Sequence, residues 1–143
     1  MNWRTLVVEI VVMVATGLCG VSCASAGAPV ENDPEALAEQ LDTIRNNGGQ
    51  QRMKDLVPGD WTAVHVFDME SLIPESVEDE VGYSLDLPPS YLNTMGTVFV
   101  FVDDEGVVRA AAVYGVRFGY TASPGDSDSV VRFDTKTELF ELA

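Results

Sequence analysis

Two apolar runs, 97–102 and 107–113, dominate the pattern of hydrophobic and polar positions along this chain. The first run, TVFVFV, has no charged residue on either face, so it predicts a central strand that is covered on both sides. An acidic segment ending in glycine, Asp103-Asp104-Glu105-Gly106, separates the two runs. Carboxylates are costly to bury and glycine tolerates a positive φ, so we predict a surface turn that joins two antiparallel strands.

The segment before this hairpin begins with helical periodicity. Leu37, Leu41 and Ile44 recur at i, i+4 and i+7. A start signal, Asn-Asp-Pro-Glu at 32–35, and a stop signal, Asn-Asn-Gly-Gly at 46–49, enclose them. The pattern predicts one amphipathic helix with a side-chain cap at its start.

A second, shorter helix is predicted over residues 71–81. Pro74 lies near its first turn, and Val77 and Val81 share one face. The acidic residues between the two valines are expected to face water. Between the two helices, residues 50–56 fit either another short helix or an extended return.

Residues 83–96 form a loop of 14 residues after the second helix. Loops of this length are uncommon in compact domains and often carry function. We therefore expect a recognition surface at Tyr83, Tyr91 and Leu92, with coverage of a sheet edge as the alternative role.

The segment WTAVHVF at 61–67 has the composition and alternation of a strand. The alternation places Trp61 and His65 on one face, together with Ala63 and Phe67. His65 is the chain's one histidine. Its apolar neighbours favour a half-buried sheet residue over a catalytic base.

Three later segments also favour extended structure, at 114–122, 130–133 and 135–142. The predicted fold is therefore a single globular α+β domain over 33–143. Its N-terminal amphipathic helix and short second helix would pack on one mostly antiparallel sheet of four or five strands.

Residues 1–26 have the three-part layout of a secretory signal. Arg4 precedes an apolar run whose uncharged part, 10–22, has 13 residues, fewer than the ~20 needed to span a bilayer. Small residues follow. We predict a cleaved leader and a domain outside the cytoplasm, with an uncleaved membrane anchor as the alternative.

Within this leader, Gly20-Val21-Ser22-Cys23 resembles the lipobox of bacterial lipoprotein precursors. The resemblance implies that Cys23 is lipidated and becomes the new N-terminus, with 23–32 as a flexible tether. Cleavage after Ala26, at the A-x-A match that ends there, is the alternative and would release a soluble secreted domain.

The domain is strongly acidic. Arg4 and Glu9 cancel, so residues 27–143 hold 7 Lys and Arg against 22 Asp and Glu and keep the net charge of −15. This charge excludes nucleic acid as a partner and repels anionic lipid surfaces. A solvated surface is the simplest explanation of it, and a basic partner or a bound cation is the alternative.

Few residue types for catalysis remain. Both cysteines, Cys19 and Cys23, lie in the leader, and the sequence has no phosphate-binding loop and no nucleophile elbow. Four aspartates in two acidic loops are weak calcium candidates: Asp103, Asp104, Asp126 and Asp128. The Asp126-Ser127-Asp128 loop lacks the glycine and distal glutamate of an EF-hand, so acidic turns are favoured.

Taken together, the sequence predicts a non-catalytic binding or structural domain of the cell envelope. A lipid on Cys23 would hold it at the outer face of the membrane. It would have no cofactor and no metal, and envelope proteins are its candidate partners. The alternatives are a small secreted hydrolase or inhibitor, or a calcium-dependent module.

Overall fold

The computed structural model describes residues 27–91 and 93–143. Over these residues the chain forms three α-helices, eight strands and two 3-10 turns. The helices are α1 (Glu35–Asn47), α2 (Met53–Leu56) and α3 (Pro74–Val81). The strands are β1 (Glu31–Asn32), β2 (Gln50–Arg52), β3 (Ala63–Asp68), β4 (Gly96–Val102), β5 (Val107–Tyr114), β6 (Phe118–Thr121), β7 (Val130–Asp134) and β8 (Leu139–Leu142). The 3-10 turns are Met69–Ser71 and Pro89–Tyr91.

The first sheet has the strand order β1-β5-β4-β3 and is built on the predicted hairpin. Strand β4 pairs with β3 and β5, and every residue of β4 is buried, so the prediction of a doubly covered central strand is confirmed. The turn is also confirmed. The Asp103 amide donates to the Gly106 carbonyl at 3.0 Å, and Gly106 has φ 154°.

A second four-stranded sheet has the order β2-β7-β8-β6, so the prediction of a single sheet is wrong. The α+β class stands, but the strands after β5 leave the first sheet instead of extending it. Gly115 has φ 70°, and its positive φ turns the chain away where β5 ends. Two of the strand pairs, β1 with β5 and β6 with β8, are parallel.

Two cores lie on opposite faces of the first sheet. In the larger core, Leu37, Leu41 and Ile44 of α1 pack with apolar side chains of both sheets, such as Phe99 and Phe140. The smaller core lies under α3, which contributes its buried valines. The apolar stripes predicted for α1 and α3 are thus confirmed, although α1 packs against both sheets and not on one face of a single sheet.

The start of α1 differs from the prediction. Pro34 occupies the N-cap position, and no side chain caps the helix. Asp33, which belongs to the predicted start signal, donates its amide to the Ala112 carbonyl at 2.6 Å. Its carboxylate accepts from the Tyr114 amide at 3.4 Å. Asp33, two residues before α1 begins, therefore joins the start of the helix to β5.

The C-terminal part of the predicted tether is ordered in the fold. Ala28 forms a parallel bridge with Leu85, and β1 pairs with Ala111 and Ala112 of β5. The domain thus begins before residue 33, because Ala28 and strand β1 make backbone hydrogen bonds with it.

Trp61 lies on a different face from that predicted. Strand β3 begins at Ala63, so Trp61 precedes the regular alternation. Its ring packs in the larger core, whereas Ala63 and Phe67 pack against the smaller one.

Candidate functional site

An apolar groove beside Trp61 is the best candidate for a binding site in the described part of the chain. Its volume is about 330 Å³, within the range of small-ligand sites. We call it the Trp61 groove. Its lining comes from three separate segments: Pro29 and Glu31; Val57, Pro58 and Trp61; and Val108, Arg109 and Ala110.

Trp61 forms a fixed part of this groove. The side chain is only 4% exposed, and its ring packs on Phe101 with centroids 5.1 Å apart. The indole Nε1 donates to the Val57 carbonyl at 2.7 Å. This hydrogen bond also positions the Val57-Pro58 wall, so two sides of the groove are held before any ligand arrives.

A β-bulge places Val108 at the groove. Phe101 pairs with Arg109 and Val102 with Val107, which leaves Val108 as the extra residue of β5. A bulge redirects the side chain it carries. Val108 is accordingly 45% exposed, which is high for an apolar residue in the first sheet.

The groove lies where the first sheet is incompletely paired. Strand β1 covers β5 only at Ala111 and Ala112, because the chain before it turns aside to bridge Leu85 at Ala28. Among the described strands, none pairs with the outer edge of β5 at 107–110. The groove is therefore open along this edge.

One ion pair crosses the rim of the groove. Arg109 Nε lies 2.5 Å from Glu31 Oε2. The two side chains are 34% and 55% exposed, so the pair is solvated and contributes little to stability. An apolar floor with a charged rim can bind a group that is apolar at one end and charged at the other.

His65 lies in a polar cluster elsewhere, on the α3 side of β3. Its Nδ1 is 3.3 Å from Glu80 Oε1, and the same oxygen accepts from Ser123 Oγ at 3.2 Å. Ser123 Oγ in turn accepts from the Val66 amide at 3.3 Å. The carboxylate thus stands between the imidazole and the hydroxyl, whereas a serine nucleophile needs the imidazole beside it.

His65 is also more enclosed than predicted. It is 7% exposed and stacks on Phe67, with centroids 6.3 Å apart. Glu80, which the sequence placed on a solvated face, is half-exposed and holds this cluster together. No local sequence pattern indicates the contact between His65 and Glu80, because the two partners are 15 positions apart in the chain.

The predicted recognition loop is not one surface. Tyr91 is 1% exposed, and its hydroxyl donates to Asn32 Oδ1. Burial raises the pKa of its phenol to about 12, and the nearby Tyr114 and Asp86 add to the effect. Tyr91 therefore has a structural role. Tyr83 is partly exposed and lies beside the turn at Gly106, and Leu92 lies outside the described residues.

The calcium candidates act as turn residues. Asp103 Oδ1 accepts from the amides of Glu105 and Gly106. Asp126 Oδ1 accepts from the amides of Asp128 and Ser129. Asp104 and Asp128 are exposed. Over residues 27–91 and 93–143, no three acidic, histidine or cysteine side chains are grouped as a metal site requires.

The predicted leader lies outside the residues that the structure describes. The lipidation candidate Cys23 falls among residues 1–26, which the structure does not describe. Within the part that it describes, no helix is long and apolar enough to cross a membrane.

Comparisons with protein-family models, curated proteins and solved structures found no match for this chain.

Proposed function

We propose that this protein is a non-catalytic binding domain that works outside the cytoplasm, held at the membrane by a lipid on Cys23. The Trp61 groove is its ligand site. The observation that carries the proposal is the groove's construction, in which a buried tryptophan and a bulged, exposed valine face an unpaired strand edge. Pre-formed apolar sites of this kind are typical of binding proteins.

The alternative of a hydrolase receives less support. Its best candidate residues are His65, Glu80 and Ser123, but the hydroxyl bonds to the carboxylate and to a backbone amide. The pocket that Glu80 and Phe67 help to line measures about 170 Å³, half the volume of the Trp61 groove. No observation favours catalysis there.

One experiment in the native host tests both parts of the proposal. The full chain would be produced with a photo-crosslinking amino acid at Val108, and membrane and soluble fractions would be separated after irradiation. We expect the protein in the membrane fraction, with an intact mass that begins at Cys23 and includes a diacylglyceryl group. We also expect a discrete crosslinked adduct.

A matched control uses the same amino acid at Tyr120, which is 63% exposed and lies on β6 of the second sheet, away from the groove. An adduct from the Val108 position that the Tyr120 position does not give supports the groove. A soluble species beginning at Gly27, without added mass, would remove the lipid anchor. Adducts of equal yield from both positions, or from neither, would remove the groove as the binding site.

A further inference from the structure

We propose that the Trp61 groove binds one apolar side chain from a basic, extended segment of a partner protein. This inference rests on the binding function proposed above and names the chemistry of its ligand.

The size of the groove fits a side chain better than a large ligand. Its volume of about 330 Å³ is at the lower end for small-molecule sites. It is also open along the β5 edge, so a chain could run past it while one side chain enters between Pro58 and Val108. Such anchor residues in a fixed pocket dominate the affinity of many interfaces.

The charge of the domain favours a basic partner. The described residues have 22 acidic groups, and each of their five arginines is already in an ion pair. The pairs are Arg45–Asp42, Arg52–Asp55, Arg109–Glu31, Arg117–Glu70 and Arg132–Glu141. The remaining field is negative and would speed the approach of a basic segment.

The rim of the groove also carries carboxylates, as the negative field of the whole domain would suggest. Glu31 lines the groove and is half-exposed, and exposed Asp60 directly precedes Trp61. A lysine or arginine residue flanking an apolar anchor could pair with Asp60 and compete with Arg109 for Glu31. Because Glu31 and Arg109 neutralise each other, the rim offers an anionic ligand no net positive charge, and the net charge of −15 repels it.

A second copy of the chain is a poorer occupant. Two domains that each carry a charge of −15 repel each other at low ionic strength. Self-association through the groove is therefore an outcome that would overturn the inference.

Trp61 provides a direct readout. The chain has two tryptophans, and Trp3 lies in the predicted leader, so a mature protein that begins at Cys23 has Trp61 alone. The experiment uses this mature protein and follows Trp61 fluorescence during titration with peptides that lack tryptophan. The probes are Lys-Lys-Phe-Lys-Lys, the same peptide with serine at the centre, and Glu-Glu-Phe-Glu-Glu.

We expect saturable binding of the phenylalanine peptide with lysine flanks, with a dissociation constant of about 1 mM or lower. The other two peptides should bind at least roughly tenfold more weakly, because one lacks the anchor and the other is repelled. Affinity should fall as NaCl is raised from about 0.05 to about 0.3 M.

Two variants locate the site. Glu31→Gln should weaken binding of the lysine peptide by roughly threefold, since it removes one exposed rim charge. Glu141→Gln is the matched control. Glu141 forms the same kind of ion pair, with Arg132 Nε 2.6 Å from its Oε2, but on the second sheet. Its affinity should stay as in the wild type.

Three results would overturn the inference: equal binding of the serine-centred peptide, equal binding of the glutamate-flanked peptide, or concentration-dependent dimerisation that fills the groove. They are distinguishable from failure of the proposed function. A Val108 adduct with a partner in the host, combined with no preference for the lysine peptide, keeps the binding function and rejects only the basic ligand.

Discussion

Tyr91 links β1, the first strand of the fold, to the loop that follows α3. Its hydroxyl donates to Asn32 of β1, and its ring packs in the smaller core. Tyr91→Phe keeps the ring and removes the hydrogen bond. We expect a loss of about 1 kcal/mol in the free energy of unfolding at neutral pH, because exposed Asn32 can bind water instead. Denaturant unfolding measures the change, with Tyr120→Phe, at a 63% exposed position, as the control.

The same residue makes a prediction about alkaline pH. The pKa of Tyr91 is about 12 in the folded domain against an ordinary value of 10. The folded state therefore favours the neutral phenol, and this contribution to stability is complete below pH 10 and is lost as pH rises towards 12. Tyr91→Phe has no phenol to ionise. Its stability deficit relative to the wild type should shrink between pH 10 and pH 12, and a constant deficit would contradict the assignment.

On the scale of elements, the edge of β3 depends on a short segment at 123–125. Val64 and Gly125 exchange two backbone hydrogen bonds, of 2.9 and 2.8 Å, and the Val66 amide donates to Ser123 Oγ. This segment covers an edge that would otherwise be open to another strand. The polar cluster of His65, Glu80 and Ser123 therefore holds this segment against the β3 edge of the first sheet.

Ser123→Ala tests this role of the cluster. The Val66 amide would lose its acceptor and Glu80 would lose a donor, so we expect a loss of about 1 kcal/mol in stability. Amide hydrogen exchange at Val66 should quicken, while Ser127→Ala, in the same loop, should leave it unchanged. Unaltered protection of Val66 in the Ser123 variant would show that the hydroxyl is dispensable.

Elements with strong local patterns were predictable, and those that depend on distant pairing were not. Helix α3 ends at Val81, where the predicted range of 71–81 also ends, and the β4–β5 hairpin follows from its turn residues. The second sheet was missed because β2 pairs with β7, and β6 with β8, across long stretches of chain. Strands of three to five residues do not specify such partners locally.

The Trp61 groove was missed for the same reason. Trp61 is conspicuous in the sequence, but Pro29 and Val108 reach it only through the pairing of β1 and β5 and through the bulge. Two prolines and an exposed valine in separate segments carry no joint signal. The prediction that Tyr91 belongs to a recognition surface was wrong. A tyrosine ring with its hydroxyl suits a buried, hydrogen-bonded position as well as an exposed binding surface.

At the scale of the whole molecule, the net charge of −15 opposes folding, because the excess carboxylates repel one another in the compact state. The arginine ion pairs offset only part of it, since 7 basic residues face 22 acidic ones in residues 27–143. Salt shortens the screening distance from about 30 Å at 0.01 M to about 8 Å at 0.15 M. We therefore expect the melting temperature to rise as NaCl increases over this range.

Divalent cations separate general screening from a specific site. The Asp103 and Asp126 carboxylates already accept backbone amides in their turns, so they are not arranged around a cation. Calcium and magnesium chloride at equal ionic strength should therefore raise the melting temperature by the same amount. A preformed calcium site would instead add RT ln(1 + [Ca²⁺]/Kd) to stability, which magnesium would not match. A larger shift in calcium would thus revive the calcium-dependent module, and a melting temperature that is insensitive to NaCl would show that the acidic charges are too far apart to repel.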